Sequence, residues 1–523
     1  MRRSPLIAGT ALLTAATVWL AAGPAAAAAT RYEAESSPAV CTGTIDSNWA
    51  GFSGSGFCNA DNATGAYAQF TVNAAAAGTA TLGIRFANGT TTARPADLVV
   101  NGSTVQSLSF AGTGAWNTWV TKTVSVGVNA GSNTIRLNPT TAGGLPNVDY
   151  LDVEAGGSTP PAGDALYAAP NGSASAPGTQ AQPTTLASAL TRIAAGGTIY
   201  LRGGTYNLAQ TVTIAPGNNG TSSARKKLFA YAGETPILNF SAQTEDPANR
   251  GLALNADYWH LRGLVVERAG DNGIFVGGSN NIIERTVTRF NRDTGLQLSR
   301  IASDTPNSQW PANNLVLSAE SHDNADSDGE DADGFAAKLT VGSGNVFRYA
   351  VSHNNIDDGW DLYTKTDTGP IGAVTIEDSL SYDNGTLSNG GQAGNGDRNG
   401  FKLGGEDIAV NHVVRRTIAY HNGKHGFTYN RNPGTMTVSN NLSIDNGQRN
   451  YSFDAGTSVF RNNTSCRGGS GSNDKIVGNT DSSNQFWSGT NGSRCSSFSG
   501  ALAWSFASDG RLVVTLGGRV VTL

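Results

Sequence analysis

Between Asp333 and Lys402 the chain reads DGFAAKL, then NNIDDGWDL, then DRNGFKLGG, three variants in which a glycine precedes an aromatic residue. Aligned on Gly334, Gly359 and Gly400, the next residue is Phe335, Trp360 or Phe401, and the one after it is Ala336, Asp361 or Lys402. Successive side chains of a strand point to opposite faces, so the aromatic residues face inward and Asp361 and Lys402 face outward. The same alignment sets Asp333 against Asp358. If the repeats stack as coils about 4.8 Å apart, Asp333, Asp357, Asp358, Asp361 and Lys402 converge on one external patch. Four carboxylates without an arginine beside them repel one another unless a cation intervenes. Calcium suits such a set, because it takes about 6–8 oxygen ligands and leaves places for water or substrate. As a structural residue Lys402 would pair with Asp361. As a base it must be neutral part of the time, and bound calcium would offset the acids that hold it protonated.

Those residues need a scaffold that repeats. Glycines of the same pattern stand at Gly273, Gly295, Gly334, Gly359, Gly400 and Gly426, separated by 22, 39, 25, 41 and 26 residues. The short gaps fit one coil of a β-solenoid, and the long ones fit a coil plus an insertion. The insertions are Ser303–Asn314 with the acidic Asp323–Asp331 region, and the glycine-rich Gly385–Arg398; both flank the proposed site. Asn291, Asn324, Asn354, Asn384, Asn422 and Asn446 precede the glycines or follow on, and read as a structural ladder at the turns. Ile274, Leu296, Phe335, Trp360, Phe401 and Phe427 form an inward stack. The expectation is an all-β chain with a right-handed parallel β-helix over 164–523. The apolar run Leu186–Ile193 is read as a helix capping its first coil, and the DG hairpin near the C-terminus as closing its far end.

Residues 1–29 read as a secretory signal peptide, with Arg2 and Arg3 before an apolar run and small residues near Ala28 and Ala29. The mature protein is therefore expected to be secreted and extracellular, free of any membrane, since no other run spans a bilayer. A net charge of −5 with 14% charged residues argues against nucleic acid as a partner. Residues 30–155 carry short alternating strands separated by turns such as Asn88-Gly and Asn101-Gly, the pattern of a β-sandwich. Gly156–Gly163 is a Pro/Gly/Ser linker. The four cysteines fall into two close pairs, Cys41/Cys58 and Cys466/Cys495, expected to be disulfides in an oxidising compartment. His322, His353, His421 and His425 sit near turns and rank as structural, below Lys402. Asp323–Gly334 invites an EF-hand reading through Asn324, Asp326, Asp328 and Gly329, but counted from Asn324 the twelfth place is Phe335 where the ligating glutamate belongs.

Two resemblances follow from these motifs. YEAE at Tyr32–Glu35, GTGAWNTW at Gly112–Trp119, NTIRL at Asn133 and PNVDYLDVE at Pro146 resemble the carbohydrate-binding module families 6 and 35 (a jelly-roll sandwich). By that resemblance Glu33, Glu35 and a carboxylate near Asp152 hold a structural calcium, and Trp116 and Asn147 engage a sugar. NNIDDGWDLYTK, DRNGFKLGG and DADGFAAKL resemble the calcium-dependent pectate lyases of polysaccharide lyase family 9, over roughly Asp164 to Ser452. That resemblance implies cleavage of polygalacturonate, an acidic plant polysaccharide, by β-elimination. It assigns Asp333, Asp357, Asp358 and Asp361 to calcium and Lys402 to the catalytic base, in an enzyme expected to be monomeric. Arg431, five places after Gly426, can bind a further carboxylate or stand in a surface salt bridge. One rival reading is a polygalacturonase-type β-helix hydrolase, which needs paired carboxylates; its RIK motif is missing and it has no role for Lys402. Another is a non-catalytic glycan-binding protein.

Overall fold

The computed structural model describes residues 29–74, 78–129, 131–155, 165–392 and 394–523. The expected signal peptide, save Ala29, and the Gly156–Gly163 linker lie outside the described residues. The chain divides into two compact units at Thr159/Pro160. The first is a β-sandwich of two antiparallel sheets, one of six strands and one of five among the described residues. Its strands alternate as a half-buried sheet requires: in Ala68–Ala74, Ala68, Phe70, Val72 and Ala74 are buried and the residues between them are not. These side chains meet Leu82, Ile84, Leu98, Ile135 and Leu151 in one core. Cys41 and Cys58 are disulfide-bonded there, as Cys466 and Cys495 are in the second unit.

The second unit is a parallel β-helix. Three parallel sheets run its length, with eleven, ten and ten strands among the described residues. In the third sheet Ile274, Leu296, Phe335, Trp360, Phe401 and Phe427 pair in register, coil upon coil. Trp360 stacks between Phe335 and Phe401 with ring centroids 4.9 and 4.8 Å apart. Phe427 continues onto Tyr451 at 4.9 Å. All are sealed from solvent. Trp360→Ala is expected to lower stability by about 3–5 kcal/mol, because the column cannot collapse into the gap; denaturant unfolding measures it. The repeated glycine has a steric cause. A Cβ at Gly359 would stand 2.1 Å from Ser381 Oγ, and one at Gly400 would stand 2.6 Å from the Gly426 carbonyl oxygen.

An asparagine ladder lines the turn before this sheet. Asn291, Asn324, Asn355, Asn384, Asn422 and Asn446 each donate to the next side chain, as in the Asn324–Asn355 (2.7 Å) and Asn355–Asn384 (2.9 Å) bonds. The member in the fourth coil is Asn355 and not Asn354. Asn354 sits one place earlier at φ 52° and donates outward to the Thr386 carbonyl. Leu186–Arg192 is helical, N-capped by Thr185, and buries Leu186, Ala189 and Leu190 in the solenoid core. The C-terminal hairpin, Leu502–Phe506 with Leu512–Leu516, differs from expectation. It lies along the flank, where Val514 and Leu516 join Val351, Leu380, Ile418 and Leu442 in a satellite core. The reason is that the second sheet carries apolar side chains on its outer face, and these need a cover.

Candidate active site

Asp361 and Lys402 are register partners on the outer face of the third sheet, one coil apart, between Ala336 and Thr428. Lys402 Nζ lies 3.2 Å from Asp358 Oδ2, 3.6 Å from Asp361 Oδ2 and 3.2 Å from Asp397 Oδ2. Asp333, Asp357 and Asp358 each offer a carboxylate oxygen within 4.8 Å of the others'. Asp361 stands beside this trio and touches both Lys402 and Lys338 at 3.6 Å. The patch is less open than the sequence suggests, with only 11% of the Lys402 side chain exposed. Asp397, on the glycine-rich insertion, and the Tyr363 ring, 5.4 Å from Nζ, cover it.

Why the carboxylates point together is visible in their hydrogen bonds. The backbone N–H of Asp358 donates to Asp333 Oδ1 (3.2 Å), and that of Asn399 donates to Asp358 Oδ1 (2.6 Å). The ladder continues with His425 N–H to Asn399 Oδ1 (3.2 Å) and Arg449 N–H to His425 Nδ1 (3.2 Å). Asp333 Oδ1 and Asp358 Oδ1 are thus held by backbone donors, while Asp333 Oδ2 accepts from Lys338 and Thr294 and Asp358 Oδ2 faces Lys402. Asp357 Oδ1 accepts from the N–H groups of Asp397 and Arg398. Asp358 Oδ2 and Asp361 Oδ1 are buried and accept no hydrogen bond. Burial first, and then neighbouring carboxylates, push the Asp333 and Asp357 carboxyls well above their ordinary range. Asp358 is raised to about 6, burial outweighing the ammonium of Lys402. Lys402 is held protonated: burial disfavours the charge, but Asp361, Asp358, Asp357 and Asp333 together more than reverse that. A carboxylate set this dense, with buried oxygens lacking donors, fits a hard divalent cation.

Two members were not foreseen. Lys338 donates to Asp333 Oδ2 at 2.8 Å from the third place after Phe335. Asp397 bridges Lys402 and Lys424, the latter at 2.5 Å. The DGFAAKL motif contained the first and the DRNGFKLGG motif begins with the second, but neither occupies a place aligned with Asp361 and Lys402. Arg431 does not join the group. It is exposed and paired with Asp407.

The sequence model described as "Pel9A-like, right handed beta helix region" matches residues 166–464, more than half of the chain. The chain belongs to the Pel9A-like β-helix family. Membership makes it a polysaccharide lyase. Pectate lyase L of Paenibacillus polymyxa (strain SC2) is 57% identical over 342 residues, covering 65% of this chain and 76% of that protein. Pectate lyase L of Thermoclostridium stercorarium is 42% identical over 293 residues, 56% of this chain and 23% of that longer protein. The crystal structure of pectate lyase Pel9A superposes with a TM-score of 0.56 at 32% identity, covering 64% of this chain and 82% of that one.

Residues 33–155 match "Carbohydrate binding module (family 6)". In this family member's sandwich Glu33 Oε1 accepts from Ser53 Oγ (2.7 Å) and Glu35 Oε1 from the Ser55 N–H (2.8 Å). Their Oε2 atoms are buried without partners. Asp152 is not with them. It pairs across the strands with Arg31 at 2.8 Å. The carboxylate beside the two glutamates is Asp149, buried and bonded to the Ser53 N–H at 3.0 Å. Burial raises it to about 6, with Glu33 and Glu35 adding repulsion. Trp116 is half-buried against Gly89, with the Arg94 guanidinium 5.2 Å from its ring. Asn147 is buried and pairs with Ala87, two residues before Gly89, so both face one end of the sandwich. Trp119, half-buried, donates to the Ala50 carbonyl and packs on Phe57.

Proposed function

We propose that the protein is a secreted, calcium-dependent pectate lyase that cleaves polygalacturonate by β-elimination, with Lys402 as general base. One observation carries the reading: the Lys402 ammonium stands 3.2 Å from Asp358 at the edge of a buried carboxylate group in which Asp358 Oδ2 and Asp361 Oδ1 accept no hydrogen bond. The pectate lyases among its relatives support the substrate. Asp333, Asp357, Asp358 and Asp361 would hold the calcium. Bound there, calcium supplies a Lewis acid for the uronate carboxylate and stabilises the charge that develops beside it.

Lys402 Nζ takes the proton alpha to that carboxylate. The C–H electron pair becomes the new carbon–carbon double bond, and the glycosidic oxygen departs with the pair of its own bond. The departing oxygen takes a proton from solvent and the Lys402 ammonium later returns one, so the products are an unsaturated uronate end and a free sugar hydroxyl, and no water is consumed. Lys402 can do this only when the acids around it are neutralised, so the ligand set also governs the charge of the base. Asp397 and Tyr363 restrict water around Nζ. In the first unit Trp116 and Asn147 hold a sugar, and Glu33 and Glu35, with Asp149 in place of Asp152, hold a structural calcium. The enzyme works as an extracellular monomer on an acidic plant polymer.

Digestion of polygalacturonate in heavy-oxygen water tests the reaction class. Products with unsaturated ends and no solvent oxygen are expected. Incorporation of one heavy oxygen per cleavage would mean hydrolysis, and an intact polymer would mean binding alone.

A further inference from the structure

The ladder that orients the aspartates ends on a histidine whose chemistry it fixes. Arg449 donates its backbone N–H to His425 Nδ1 at 3.2 Å, so that nitrogen is the acceptor and Nε2 carries the hydrogen. His425 is 8% exposed, and burial, then Lys424 and Arg449, lower its pKa to about 4. It is therefore a neutral donor of set orientation. Its Nε2 bonds to no protein atom among the described residues, yet is not one of the partnerless atoms sealed from solvent. Around it stand Lys424, whose ion-pair partner is Asp397, and Arg449, whose Nε donates to the Asn473 carbonyl. No carboxylate pairs with Arg449 among the described residues. Asp454 is the acid whose field reaches the ring.

We propose that His425, Lys424 and Arg449 form a carboxylate-binding subsite for a uronate lying one coil beyond Lys402, a proposal that rests on the polygalacturonate reading above. The coil spacing of about 4.8 Å is comparable with the advance per sugar in an extended 1,4-linked chain, so consecutive uronates meet consecutive coils. The charge along this edge supports the direction. The coils before the site open onto a cavity lined by Glu245, Asp246, Asp271, Asp293, Asp326 and Asp328, with Arg292 the one cation among its described lining residues. An anionic polymer is repelled there. Beyond Lys402 the edge carries Lys424 and Arg449 alongside Asp397 and Asp454, so it lacks the acidic excess of the earlier coils, and the fixed N–H of His425 adds a donor for a carboxylate oxygen.

His425→Asn separates binding from folding. Asn399 already serves as the ladder acceptor one coil earlier, so asparagine keeps the bond to the Arg449 N–H and removes only the Nε2 donor. The variant is expected to melt as wild type, to bind calcium with unchanged affinity, and to show KM for polygalacturonate raised about tenfold with kcat within about twofold. Arg449→Gln, at a less buried position, is expected to raise KM likewise and to weaken its dependence on ionic strength. In the inactive Lys402→Ala protein the Nε2–H resonance of His425 should shift on adding galacturonate oligomers. Unchanged KM in both variants, or an unmoved resonance at saturation, would overturn the subsite while leaving wild-type turnover intact. A wild-type protein inert toward polygalacturonate would remove the substrate reading, and the subsite with it.

Discussion

Lys402→Ala is expected to lower kcat on polygalacturonate by about 10³–10⁴-fold, the contribution of a positioned general base. The ammonium stands 3.2 Å from Asp358 and 3.6 Å from Asp361, beside the carboxylates that would hold the cation. Lys338 is not expected to take over, because it is tied to Asp333 Oδ2 at 2.8 Å. Calcium affinity supplies the second readout. Lys402 competes with the cation for Asp358 Oδ2, so the alanine variant should bind calcium at least as tightly as wild type. Lost turnover with retained or tightened calcium binding is the signature of a base. Lost turnover with lost calcium would instead mark Lys402 as part of the ion site. Without calcium the variant should unfold more easily, since removing one partner of a buried ion pair strands the other's charge, at a cost of about 3–5 kcal/mol.

Asp358→Asn is expected to weaken calcium binding by at least about 100-fold. Activity should fall in parallel at limiting calcium and recover in part at high calcium. The amide keeps the acceptor that Asn399 uses through its N–H and its side chain, at 2.6 and 2.9 Å, so the ladder survives. What changes is the other atom: Oδ2, buried and facing the Lys402 ammonium at 3.2 Å, becomes an NH₂ group that repels a cation. Calorimetric titration of calcium into both proteins measures the difference. Equal affinities would move the ion site away from this group.

Much of this was legible before any coordinates. Alternation at period two, anchored on a glycine that cannot carry a Cβ, fixes which residues stack inward and which partner outward. That is why Phe335, Trp360 and Phe401 fell into one column and Asp361 and Lys402 into another. Where the anchor is ambiguous the reading slips. Adjacent asparagines at 354 and 355 carry the same signal, and only the hydrogen bonds distinguish them. Asp149 and Asp152 lie in one strand, and Arg31, directly across from Asp152, decides between them. Strand pairing of that kind is long-range and invisible to local pattern. Asp397 stands three places before Gly400, where the other repeats carry Asp331 and Ile356 and the pattern gives no side-chain direction, and Arg431 stands where a nearby acid, Asp407, claims it. The docked hairpin left a readable trace: Val351, Leu380, Ile418 and Leu442 place apolar side chains on an outer face that would otherwise meet water.

The most direct test titrates calcium into chelator-treated enzyme with polygalacturonate, following calcium occupancy and the ultraviolet absorbance of unsaturated uronate ends together. The two curves should superimpose from zero, with no absorbance gained by Lys402→Ala at any calcium level. Full turnover in chelator, or equal turnover by the lysine variant, would contradict a cation-dependent elimination run by this lysine.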